Sequence, residues 1–298
     1  MPSLTRTLVT LEFDDGHRSQ MLAVPLLARR AMHATFFVNS DRIGEEGYLS
    51  WPHLRELHAT GHEVGGHSLG HDDLRKLDPA ALTRAIEDDC EALRGQGFPC
   101  VSFAYPYGWL DGGVREAVRE AGYQSARVIH GLSVSDTTTL VPPGRGGIPG
   151  GILRRIDRPV LELERRAHEP RAVRSLSRAS DDRGKLRIRA ATAPAAVRRR
   201  ILVCASLGEF AETVPPRDRY ATRTVEHVMR WTTVPDLQRR VTAAERRGGW
   251  VQIVFHYIAG ESAFAVRPAT LAAFLDWLRA RAPGGTEVKT VAEVIGDR

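Results

Sequence analysis

Thr7-Leu8-Val9-Thr10-Leu11-Glu12-Phe13-Asp14-Asp15-Gly16 is the stretch that decides the fold. Apolar and β-branched residues run almost unbroken up to two adjacent carboxylates, and a glycine follows at once. Such a run reads as a strand buried on both faces, the form taken in parallel sheets covered by helices. It delivers its acids at the strand's carboxyl end, where barrel enzymes place their chemistry.

Outward from this strand, helix and strand signals alternate. Residues 21–32 have helical spacing, and 34–38, with Phe36 and Phe37, read as a buried strand. Residues 51–60 predict a helix stopped by Gly61, and 62–66 a short strand leading to His67-Ser68-Leu69-Gly70-His71. A long helix over 79–94 opens on Asp78 as N-cap. Residues 101–104 form a strand ending at Tyr105-Pro106-Tyr107-Gly108, 111–121 a helix ended by Gly122, and 125–129 another strand. The pattern resumes with a helix over 234–246, an apolar strand over 250–257, a helix over 268–281, a strand over 287–290 and a last helical turn over 291–295. Alternation of this kind implies parallel strands with crossover helices.

The stretch from Gln124 to Glu209 breaks the order, since it holds no Phe, Trp or Tyr. A segment without large apolar groups offsets little of its ordering entropy. Residues 131–208 are therefore expected to be a flexible, Arg-rich insertion in one catalytic domain spanning 1–298. Between Arg145 and Arg200 the local balance is +10 in a chain of net charge +6, which leaves the remainder at −4. The basic character belongs to that segment. With no aromatic residues between the arginines, base stacking is unsupported, and no nucleic-acid partner is expected. No run of about 18 apolar residues exists, so no membrane span is expected. No secretory signal is read at the start, making the cytoplasm the default compartment. Cys90, Cys100 and Cys204 have no metal-finger spacing and read as small buried hydrophobes.

The chemistry lies in an ordered set: Asp14-Asp15, then His67 and His71, then His256 at the end of the 250–257 strand. Two histidines four apart can share one face of a helical turn, and an aspartate from another strand completes a three-ligand site with open positions. Imidazole and carboxylate suit Zn²⁺ or a similar divalent ion such as Co²⁺. Adjacent side chains diverge in an extended strand, so one carboxylate binds metal and the other acts as general base. His256 is the candidate acid for the leaving group. Singly, each piece has a plainer reading: a turn, a polar surface pair, a core histidine. The joint order favours a mononuclear metal hydrolase.

These motifs resemble the polysaccharide deacetylase family, carbohydrate esterase family 4. Its Thr-Phe-Asp-Asp-Gly is matched by Glu12-Phe13-Asp14-Asp15-Gly16 except at the first position. Its His-Ser/Thr-x-x-His is matched in full by His67-Ser68-Leu69-Gly70-His71, and its Arg-x-Pro-Tyr appears as Ala104-Tyr105-Pro106-Tyr107. Its last motif is matched by Val254-Phe255-His256. The likeness covers residues 7–130 and 209–296. It implies a distorted, incompletely closed (β/α) barrel acting on an acetylated carbohydrate polymer and releasing acetate. It further implies Asp14 as base, Asp15, His67 and His71 as metal ligands, and His256 as acid. The Tyr107 backbone N–H would serve as oxyanion donor, and Val254 would line the acetyl pocket.

Two departures stand out. The family arginine that orients the base is Ala104 here; Arg223 is a candidate to supply that charge, its plainer reading being an exposed arginine. The acid that tunes the histidine is unplaced; Asp218 is the candidate, while Asp276 reads as structural. Tyr105, Trp51 and Trp109 are candidates for stacking on sugar. His17 is expected on the surface, near the site mouth. His33, His53, His58, His130, His168 and His227 receive no role. Rival readings are a small amide or imide as substrate, a silent metal- and carbohydrate-binding module, and a basic scaffold acting through its insertion. The family usually acts outside the cytoplasm, and the oligomeric state is left open.

Overall fold

Strand β1 (Thr7–Phe13) is buried along its whole length and takes neighbours on both edges. In the computed structural model, which describes residues 6–129, 211–224, 227–246 and 248–296, one edge pairs in parallel with β7 (Gly249–Phe255) over all seven residues. The other edge is shared. Thr7 to Thr10 pair with β10 (Thr286–Lys289), while Glu12 and Phe13 pair with β2 (Thr35–Val38). From β2 the parallel sheet continues through β3 (Glu63–Gly66), β4 (Ser102–Ala104), β5 (Ser125–Ile129) and β6 (Thr222–Thr224).

The curl nearly closes. Between β6 and β7 the described contacts are an isolated parallel bridge from His227 to Val254 and side-chain links. Gln252 donates Nε2–H to the Arg223 carbonyl, and Thr224 donates Oγ1–H to the Gln252 carbonyl, both at 2.9 Å. The fold is thus a distorted (β/α) barrel with a thin seam. A small pair, β8 (Tyr257–Ile258) and β9 (Ala265–Val266), follows β7.

Alternation along the strands sorts the core. Val9, Leu11, Phe13, Phe36, Val38, Phe103, Val251, Ile253 and Phe255 join the cluster between sheet and helices. The helices are α1 (Val24–Ala28), α2 (Trp51–Ala59), α3 (Pro79–Gly95), α4 (Gly112–Glu120), α5 (Val234–Glu245), α6 (Pro268–Arg281) and α7 (Val291–Gly296). Residues on the other face of the strands point inside the barrel. Leu8, Phe37, Ala104 and Trp250 form a second cluster there with Val291, Val294 and Ile295 of α7. Glu63 accepts the Ala292 N–H at 2.8 Å and so anchors the start of α7 to β3.

Most expected elements appear within a residue or two. The helix expected over 21–32 does not: a 3₁₀ turn (Arg18–Leu22) precedes the short α1, because Pro25 permits only a helix start there. Strand β6 was not foreseen. Cys90 and Cys100 are buried free thiols, as expected; Cys204, His130, His168 and the insertion at 131–208 lie outside the described residues.

Candidate active site

Asp14 and Asp15 leave the end of β1 in different directions because the chain turns between them. Asp15 has φ 73°, and Gly16 follows at 64°. The divergence comes from this left-handed turn, not from an extended strand as the sequence suggests. The histidine pair likewise sits on a loop after β3 and not on a helical turn. Ser68 and His71 both have φ 66°, which folds the loop so that the two rings meet at 4.8 Å between centroids. Asn39 holds the loop by donating its Nδ2–H groups to the His67 and Ser68 carbonyls at 2.6 and 3.1 Å.

The outcome is a three-ligand cluster. Nε2 of His67 and Nε2 of His71 each stand 3.4 Å from Asp15 Oδ1. Ligand atoms about 2.1 Å from a tetrahedral ion lie about 3.4 Å apart, so the spacing suits zinc. Nδ1 of His67 is 2.6 Å from the Ala104 carbonyl. That contact makes Nδ1 the protonated nitrogen and leaves the Nε2 lone pair for a ligand. Donor set, burial and spacing all fit one divalent cation.

Asp14 is almost fully buried and held from one side. Its Oδ2 accepts from Nη2 of Arg127 at 2.5 Å, while Oδ1 is buried with no hydrogen-bond partner among the described residues. Burial pushes the Asp14 carboxyl up, but Arg127, His67 and His256 together outweigh it and hold the group below its ordinary value. Arg127 also pairs through Nε with Glu12 Oε2 at 2.7 Å. Burial dominates at Glu12 and raises its carboxyl to about 7 despite Arg127 and a bond from Thr10. Gln20 ties the ends of β1 and β7 together, donating Nε2–H to the carbonyls of Asp14 at 2.5 Å and His256 at 2.9 Å.

Across the pocket, His256 packs against His227 with ring centroids 4.5 Å apart, and against Phe264 at 5.2 Å. Asp14, His227 and His256 bring ligand-type atoms within 4.8 Å of one another, so base and acid candidates face one point. The pocket is lined by Asp14, His67, His71, His227 and His256, with Tyr105, Tyr107, Ile129 and Phe264 as its aromatic and apolar wall.

Several expected residues lie elsewhere. Arg223 faces the other side of the sheet from Arg127, because Val128 and not Arg127 is its partner in register; it pairs with buried Glu212 at 3.2 Å. Asp218 makes a two-pronged ion pair with Arg115 on α4, at 2.6 and 2.7 Å, and the residue against His256 is His227. Asp276 pairs with Arg30, as a structural acid would. Val254 is fully buried on β7 beside Glu12 and is not part of the pocket lining. Tyr105 lines the pocket but is buried, with its hydroxyl donating to the Tyr220 carbonyl at 3.1 Å, which removes it as a stacking platform. Trp51 packs on the outer core. Trp109 lies 4.8 Å from Tyr107, beneath the Arg75 guanidinium. Tyr107 (φ 61°) packs its ring against His71 at 4.6 Å. His17 is half-buried against Tyr257 rather than on the open surface, and burial lowers its pKa while Asp15 opposes that.

The structure thus defines a barrel protein with an Asp-His-His cluster and an adjacent second aspartate at the carboxyl ends of its strands. Residues 3–126 match the family model described as polysaccharide deacetylase, so this part of the chain is similar to that family. It is 29% identical over 122 residues to the peptidoglycan-N-acetylglucosamine deacetylase of Bacillus cereus, 40% of this chain and 54% of the relative. It is 33% identical over 121 residues to a chitin deacetylase of Colletotrichum lindemuthianum, 39% of this chain and 48% of that one. The chain spans about half the length of the curated relatives it matches. A solved polysaccharide deacetylase from Bacillus cereus is similar at 27% identity and TM-score 0.38, over 40% of this chain and 39% of that chain. The peptidoglycan deacetylase PdaC of Bacillus subtilis is similar at 15% identity and TM-score 0.47, over 97% and 90%. The family match ends before Arg127, His227 and His256; their place in the site rests on the geometry.

Proposed function

We propose that this chain is a divalent-metal-dependent deacetylase that hydrolyses acetyl amides, or acetyl esters, of a carbohydrate polymer and releases acetate. The observation that carries the reading is the convergence of Asp14 and His256 on one pocket beside the Asp15, His67 and His71 cluster. A zinc or cobalt ion held by those three residues would supply Lewis-acid polarisation of the acyl oxygen and acidify a water.

The chain's own residues do the rest. Asp14 Oδ1 takes a proton from the attacking water, since Oδ2 is occupied by Arg127. The water oxygen bonds to the acyl carbon, and the backbone N–H of Tyr107 is the assigned donor to the oxygen that gains charge. The bond from carbon to the leaving nitrogen or oxygen then breaks, and His256 gives that atom its proton. The buried wall of Ile129, Tyr105 and Phe264 keeps bulk water from the reacting carbon and suits a methyl group.

The test is acetate release from N-acetylglucosamine oligomers and acetylated xylan by metal-stripped protein, with and without Zn²⁺ or Co²⁺. Release that requires metal supports the reading, and the better substrate separates amide from ester. Zinc uptake without release from either substrate points to a small amide or to a silent binding module. Failure to bind any divalent ion overturns the ligand assignment.

A further inference from the structure

A carboxylate that must collect a proton from a defined direction has to be fixed in rotation as well as in charge. Asp14 is fixed by a side chain that neither motif spacing nor the family match includes. Arg127 sits in the middle of β5, in register with Ala104 on β4. Register partners in a parallel sheet point to the same face, so both enter the barrel interior. Ala104 is a methyl group and leaves that interior open to the long side chain beside it.

Three contacts hold the guanidinium. Nη2 meets Asp14 Oδ2 at 2.5 Å, Nε meets Glu12 Oε2 at 2.7 Å, and the group stands 5.5 Å over the Phe37 ring. The arginine side chain is 2% exposed and those of its two acids 0% and 3%, so none of the three can turn away to water. Glu12 and Asp14 lie two apart on β1 and share its inner face. A planar guanidinium spans the two, whereas an ammonium is a single point of charge.

We propose that Arg127 is the positioning residue of Asp14, a guanidinium supplied from β5 in place of one on β4, with Glu12 as its second anchor. The unusual Glu12, Ala104 and Arg127 form one coupled arrangement: the small residue makes room, the arginine clamps the base, and the glutamate fixes the arginine's rotation. The proposal rests on the deacetylase reading for what Asp14 does, and on the geometry alone for how Asp14 is held.

The primary test is Arg127→Lys in the full chain, which keeps the buried charge. It should fold, bind one zinc as wild type does, and lose kcat by on the order of 100-fold with KM within about threefold, the size expected of a misplaced catalytic group. The second variant, Glu12→Gln with Arg127→Gln, removes the arginine together with the charge of its second anchor, leaving His67 and His256 as the cationic neighbours of Asp14. It should show the same loss, and adding Ala104→Arg to it should recover at least about tenfold in kcat, a rescue that a purely structural role would not produce. Wild-type kcat in Arg127→Lys overturns the proposal, as does recovery failing in a folded, zinc-loaded triple variant. If the wild type releases no acetate, the deacetylase reading fails separately. The crystal structure of zinc-loaded Arg127→Lys then decides the positioning claim: a rotated Asp14 carboxylate supports it, and an unmoved one overturns it.

Discussion

At the scale of single residues, the site is made by backbone conformations that side chains disfavour. Asp15, Ser68, His71 and Tyr107 all have positive φ, from 61° to 73°. Each costs on the order of 1–3 kcal/mol and persists only where surroundings enforce it. Asn39 on the His67–Ser68 carbonyls and Gln20 on the Asp14 and His256 carbonyls supply that enforcement. The side chains divide by role, and substitution should separate them. Asp14→Asn should keep zinc while kcat falls by about 10²–10⁴, the usual worth of a general base. His71→Ala should lose zinc and turnover together. Zinc stoichiometry measured beside acetate release checks both, and an active Asp14→Asn would remove Asp14 from the base role.

At the scale of elements, which face of a strand a residue occupies settles its use. Arg127 and Arg223 lie on adjacent strands, yet Arg127 pairs in register with Thr222, so the two arginines face opposite sides. Tight contact between elements explains Gly66 on β3, where a Cβ would fall 2.6 Å from Asp89 Oδ2 on α3 and closer still to Tyr123 Oη. Asp89 itself accepts from the Ser40 and Tyr123 hydroxyls, at 2.6 and 3.0 Å. Burial is the largest influence on it and raises its pKa from 3.8 to about 6. A raised folded-state value means that ionisation penalises the folded state. The penalty is absent below about 3.8, grows as pH rises, and is complete above about 6. Asp89→Asn should remove that pH-dependent part, on the order of 2–3 kcal/mol between pH 4 and 7. Urea unfolding of both proteins across that range measures it; parallel pH curves would contradict the assignment.

At the scale of the whole molecule, the barrel depends on its thinnest join. Gln252 bonds to β6 from both ends of its peptide and side chain, and His227 forms the one isolated bridge described there. Gln252→Leu leaves buried polar partners on β6 unsatisfied and should cost about 1–3 kcal/mol. Because His227 and His256 flank this seam, kcat should fall with stability, which thermal unfolding and acetate release together would show. A ligand that binds only the folded barrel stabilises it by mass action. Zinc at about 100 times its Kd should add about 2.7 kcal/mol, or about 5–10 °C in Tm. Asp14→Asn should retain that rise and His71→Ala should lose it.

The sequence by itself determined the parallel β/α order, the strand ending in Asp14-Asp15, the histidine pair and the strand ending in His256. Hydrophobic periodicity and residue spacing are local, and they are written in consecutive positions. The geometry of the Asp15, His67 and His71 cluster was legible in outline for the same reason, although left-handed turns and not a helix produce it. The partners were not legible. Strand register and face set Arg127 on Asp14 and turn Arg223 to the opposite side, while Glu212 on Arg223, Arg115 on Asp218 and His227 on His256 depend on how a helix and the connecting segments pack against the sheet. A one-residue slip in register would exchange Arg127 for a neighbour on the opposite face. Nothing in the local sequence encodes that choice; only closing the sheet, which buries Arg127 between Glu12 and Asp14, decides it.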